Sequence, residues 1–152
     1  MNSDSLITDN REECVLPSFN HGYFQLSIGI ALRQQENFSV VSASSIEINH
    51  KEHIPDISVY AKRKVDRLHD IVKMIDMPLL AIEIISPTQG SLELINKFNV
   101  YFEGGIKSCW LVDPLPGSVV VFSSPDKAQT FTSGEVIDDV VDIRVPIDEL
   151  FK

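Results

Sequence analysis

Cysteine is scarce in this chain of 152 residues. Cys14 and Cys109 are the whole supply, too few for a disulfide framework. Cys109 sits in an apolar run and reads as a buried thiol. No stretch approaches the ~18 consecutive apolar residues of a membrane helix, so no membrane span is expected. The start, MNSDSLITDNREECV, has neither a basic head nor an apolar core. A secretory signal is therefore not expected, and the cytoplasm is the expected location. Positive charge is also short: 13 Lys and Arg face 22 Asp and Glu, a net charge of −9. Such a chain does not hold nucleic acid by bulk electrostatics. A local basic groove, or a metal site built of carboxylates, remains compatible with that balance. Histidines number four. His50 and His53 lie close together, but no Cys or third His completes a zinc set. Ser86 has no Gly-x-Ser-x-Gly around it and no paired His, which argues against a serine nucleophile.

What is present is enough apolar sequence, 43%, for a sizeable core in one domain spanning residues 1–152. Residues 1–16 are polar and read as loosely held. Asn20 as N-cap, with Phe24, Ile28, Ala31 and Leu32 at helical spacing, predicts a helix over 21–34. Residues 38–42 and 45–48 read as strands, 49–53 as a polar turn, and 57–60 as a short strand behind Pro55. The 61–77 segment reads as a short helix or an ordered loop. Leu79 to Ile85 predicts a central strand. Leu92 to Glu103 predicts a helix with an apolar stripe of Leu92, Ile95, Phe98 and Phe102, stopped by Gly104-Gly105. Residues 107–112 then predict a parallel strand, 119–122 a hairpin return, and 127–132 and 142–145 edge strands, with a short helical turn at 147–151.

Glu83 is the anomaly in this pattern. It is the one charge in an apolar run that otherwise reads as fully buried, and an ionised carboxylate there needs a cation or hydrogen bonds. Asp56 heads the preceding strand, and neighbouring strands stand about 5 Å apart. Two carboxylates on one side of adjacent strands suit Mg²⁺, which takes one or two carboxylates and keeps waters for a phosphate. Lys97, on the following helix, is placed to reach back over that strand. Each residue also has a plain structural reading. Asp56 fits a turn-forming aspartate behind a proline, Glu83 a buried ion pair, and Lys97 a surface pair with Glu93. His21, at a helix start, and Lys62 and Lys64, in the only basic cluster, are candidates for substrate contact. Trp110 and Tyr101 read as core.

Taken together, the residues resemble a known family. Pro55-Asp56 is followed by Glu83-Ile84-Ile85-Ser86-Pro87-Thr88, then Lys97 and Tyr101, then Gly105-Ile106, Cys109 and Trp110-Leu111-Val112-Asp113-Pro114. This is similar to the bacterial "putative restriction endonuclease" family of the PD-(D/E)XK nuclease superfamily. The resemblance covers roughly residues 16–122. In the wider superfamily the lysine follows the glutamate by two residues on the same strand; here that position is Ile85, and Lys97 is the migrated candidate. The resemblance implies an α/β fold of restriction-endonuclease type, a mixed central β-sheet flanked by α-helices. It implies a metal-dependent deoxyribonuclease in which Asp56 and Glu83 hold Mg²⁺, with Mn²⁺ able to substitute, and Lys97 positions the attacking water. DNA is the implied substrate and a homodimer the implied assembly. The competing expectation is a catalytically inactive nuclease-fold module that binds a protein or nucleic-acid partner.

Overall fold

The apolar run around Glu83 forms a strand buried along its whole length, β5 (Leu80–Ile84), in a computed structural model that describes residues 17–152. The expectation for residues 1–16, and Cys14 with it, lies outside the described residues. Six strands form a mixed sheet in the order β1-β4-β5-β6-β7-β8. They are β1 (Phe38–Ser42), β4 (Ile57–Ala61), β5, β6 (Ser108–Asp113), β7 (Ser118–Ser124) and β8 (Lys127–Phe131). Only β5 and β6 run parallel; the other neighbours are antiparallel. The parallel pair needs a crossover, and α2 (Ser91–Glu103) supplies it.

Strand alternation splits the core in two. Leu80, Ile82 and Ile84 face one side, with Ile57, Val59 and Trp110. That side is covered by Ile28 and Leu32 of α1 (Phe19–Arg33). It is also covered by the hairpin of β9 (Glu135–Asp138) and β10 (Ile143–Pro146), and by the short α3 (Ile147–Leu150). Ala81, Cys109 and Leu111 face the other side, against Leu94, Phe98 and Tyr101 of α2. Ile46 and Ile48, from the hairpin of β2 (Ile46–Ile48) and β3 (Lys51–His53), close that layer. Glu83 lies between Ile82 and Ile84 and therefore points to the α2 side.

Several local expectations are corrected. The cap of α1 is Ser18, not Asn20: its Oγ accepts the N–H of His21 at 3.1 Å, and the helix starts two residues early. Residues 51–53 are strand rather than turn. The turn is only Asn49-His50, both with positive φ, the geometry of a tight two-residue hairpin. After Ala61, the last residue of β4, the segment up to residue 77 is loop, pinned where the Met74 N–H donates to Ser45 O and the Glu47 N–H to Met74 O. The buried stripe of α2 is Leu94, Phe98 and Tyr101, while Leu92 is 71% exposed. The α2 stop is as expected. The N–H of Ile106 returns to Tyr101 O, that of Gly105 to Phe102 O, and Gly105 takes φ +102°. Strand β9 was not expected.

Candidate active site

Ile57 pairs with Ile82 and Ser58 with Ala81, so the next position of the same antiparallel register sets Asp56 opposite Glu83. The two carboxyls meet where β4 begins and β5 ends. They line one cleft of about 260 Å³ together with His21, Lys97, Ser86 and Gln25.

Asp56 is held from three directions. The backbone N–H of Ile84 donates to its Oδ2 at 2.7 Å, and His21 Nε2 donates to the same oxygen at 3.0 Å. Its backbone carbonyl accepts from Gln25 Nε2 at 2.9 Å and from the Ala43 N–H at 3.0 Å. Ala43 makes that contact with φ at +49°, in the left-handed region that a residue with a Cβ rarely occupies. The hydrogen bond to Asp56 raises the His21 pKa above the usual histidine value, against the opposing effect of partial burial.

Glu83 is only 2% exposed. Its Oε1 accepts the phenol O–H of Tyr101 at 2.6 Å. Burial pushes its carboxyl up to about 8, and the charge and hydrogen bonding of Asp56 push the same way. Lys97 and the Tyr101 hydrogen bond pull it back. Burial, reinforced by Glu83, keeps the Tyr101 phenol protonated. A buried carboxyl beside a second, partly exposed carboxylate is disfavoured in its ionised form.

The donor chemistry fits a hard cation. Two carboxyls converge, and a divalent ion would offset both the burial of Glu83 and the charge of Asp56 beside it, which together raise its pKa. Ser86 Oγ and His21 Nδ1, at the same cleft, are buried and lack a hydrogen-bond partner among the described residues. Also among the described residues, no three His, Cys, Asp or Glu side chains cluster to hold a metal. The set is therefore a two-carboxylate one, the number Mg²⁺ uses.

The structure brings four of the six residues singled out from sequence to one cleft: Asp56, Glu83, Lys97 and His21. Lys62 and Lys64 are elsewhere. They are exposed on the loop after β4, at the opposite end of that strand from Asp56, roughly 20 Å away at about 3.3 Å per residue. Sequence reasoning took Tyr101 for core, considered Ser86 only as a nucleophile and set it aside, and did not single out Gln25. Tyr101 stands one helical turn after Lys97, and that spacing was its only signal. Gln25 stands one turn after His21, on the side of α1 that meets Asp56.

The Uma2 family model, described as "Putative restriction endonuclease", matches residues 11–144. Among solved structures, a putative nuclease belonging to DUF820 from Anabaena variabilis has a similar fold. It aligns with a TM-score of 0.71 at 20% identity, over 90% of this chain and 82% of that one. No curated protein matches the chain. No helix among the described residues is long and apolar enough to cross a membrane.

Proposed function

The chain belongs to the Uma2 family of restriction-endonuclease relatives, and on that premise we propose that it is a Mg²⁺-dependent endonuclease hydrolysing phosphodiester bonds of DNA in the cytoplasm. The observation that carries this reading is the register opposition of Asp56 and Glu83 in a cleft that also holds Lys97.

Asp56 and Glu83 would hold the ion. The chemistry Mg²⁺ supplies when bound there is polarisation of the scissile phosphate and a lowered pKa for a bound water. The chain's own residues do the rest. The Ile84 N–H and His21 fix the Asp56 carboxylate, so it enters the reaction already oriented. Tyr101 does the same for Glu83. The Lys97 ammonium would position the attacking water in line and offset charge on the phosphate. Ser86 Oγ is a free donor at the cleft for a phosphate oxygen. Lys62 and Lys64, with Arg63 beside them, would meet the DNA backbone away from the cut, because a duplex is long enough to span both ends of β4. An inactive binding module would have no use for a carboxylate pair kept at this electrostatic cost.

The test is cleavage of supercoiled plasmid with Mg²⁺ or Mn²⁺. The wild type is expected to nick or linearise it. Lys97→Ala should retain its fold and lose about 10²–10³ in rate, the usual worth of one positioned charge-stabilising donor. Equal cleavage by the variant, or none by the wild type with either metal, would overturn the proposal.

A further inference from the structure

Helix α1 is apolar on two sides. Its inner side puts Ile28, Ala31 and Leu32 into the core. Its outer side carries Phe19, Tyr23, Leu26 and Ile30, exposed by 84, 51, 66 and 55%. Their four-three-four spacing sets them on one stripe. A helix apolar on two sides belongs between two surfaces, and among the described residues α1 meets one. Gly22 and Gly29 lie seven residues apart along the edge of the same stripe. A Cβ built on either meets nothing within 4 Å. Among the described residues nothing packs against these glycines, which are unfavourable inside a helix. Both line a groove whose other wall is Val40, Val41 and Ser42 of the edge strand β1.

We propose that this face is a homodimer interface, in which α1 of one copy packs against α1 of a second across a two-fold axis. The glycine row lets the helices approach closely, and the apolar stripe meets its own copy, as a two-fold contact requires. Cutting both strands of a duplex is the use a second copy would serve, and to that extent the inference rests on the nuclease reading.

Charge and area select the occupant. The chain carries −9, yet α1 holds no acidic residue and has one arginine, Arg33. Two copies of net charge −9 repel on average, and a face without acidic residues carries none of that repulsion. The stripe is equally short of the cations that phosphates demand. Its four side chains expose roughly 400 Å² of apolar surface per copy, the size at which patches mark interaction sites. That is about half of the ~800 Å² per partner in a stable interface, and the β1 wall supplies further area. His21 and Gln25 grip Asp56 from this same helix, so the interface would brace the element that positions the site.

Sedimentation equilibrium on the full chain, without metal or DNA, tests this. The wild type is expected at twice 17.0 kDa at micromolar concentration. The double variant Leu26→Asp/Ile30→Asp should sediment at 17.0 kDa with an unchanged circular dichroism spectrum. Gly29→Gln guards against misfolding. In a lone chain its side chain enters open space and a better helix former replaces glycine, so Tm should hold or rise. In the dimer it overpacks the contact and should weaken association about tenfold or more. A monomeric wild type, or variants as dimeric as the wild type, would overturn the inference. A dimer that cuts no DNA would sink the nuclease reading and leave the interface standing; a monomer that cuts would do the reverse.

Discussion

At the scale of residues, the account turns on one buried carboxyl. Glu83 titrates at about 8 in the fold against an ordinary value near 4.5, chiefly because it is buried. Between those values the folded chain holds a proton that the unfolded chain releases. Stability of the metal-free protein is therefore full below the lower value and falls as pH rises through the upper one. His21, also raised, acts in the same direction. The Tm of the metal-free wild type should drop between about pH 5 and 9, and Glu83→Gln should flatten that slope. A wild-type Tm that stays level or climbs would contradict the burial argument.

Tyr101 gives a second prediction at this scale. Its hydrogen bond favours the ionised form of Glu83. Tyr101→Phe should weaken Mn²⁺ binding near neutrality about 10-fold or more, with partial recovery at higher pH. Unchanged affinity in calorimetry would assign Tyr101 to packing alone. Glu83 was legible in the sequence because a charge in an apolar run has few explanations. The work of Tyr101 was not, since an aromatic residue on a helix reads equally well as core. Nor was the grip of Gln25, which depends on how α1 crosses the head of β4.

At the scale of elements, the sequence showed the strand–helix–strand unit around Glu83 because strand and helix periods are separable there. The rotation of α2 was misjudged. Leu92 and Leu94 offer two competing stripes, and only the contacts of Tyr101 with Glu83 and of Phe98 with Phe122 settle which faces inward. The β2–β3 turn was read too long, over 49–53, and β3 was missed, because Asn49-His50 lacks the glycine that usually marks a two-residue turn. Strand β9 escaped for another reason. Its two buried residues are Val136 and Asp138, and an aspartate does not read as core. Asp138 Oδ2 accepts from Trp110 Nε1 at 2.8 Å and from Ser108 Oγ, tying the β9–β10 hairpin to the sheet. Asp138→Ala would leave the indole N–H buried without that acceptor. It should lower stability by about 2–3 kcal/mol in urea unfolding. Metal affinity should not change, because Trp110 and Glu83 occupy opposite faces of the sheet. Loss of metal binding in a folded Asp138→Ala protein would show that the faces are coupled.

At the scale of the molecule, the pieces form a sheet with one face committed to α1 and the β9–β10 hairpin, and the other to α2. The cleft opens at the end of the sheet where β4 begins, so residues from both sides of the sheet line it: His21 from α1, bonded to Asp56, and Lys97 from α2. No single stretch of sequence contains that convergence. It requires β4 and β5 to pair in one register, and a shift by one residue would turn Glu83 into the other layer. The negative balance also has its place at this scale. Among the described residues, Lys97 is the only Lys or Arg lining the cleft. Most of the attraction for a phosphate would then have to come from a bound ion and not from the protein surface.

A titration of Mn²⁺ into the metal-free protein and into Glu83→Gln, followed by calorimetry, addresses this most directly. The account predicts saturable binding of an ion by the wild type, with proton release because Glu83 must ionise, and loss of both in the folded variant. Equal heats in the two proteins, or no binding by the wild type at millimolar Mn²⁺ with DNA present, would contradict it.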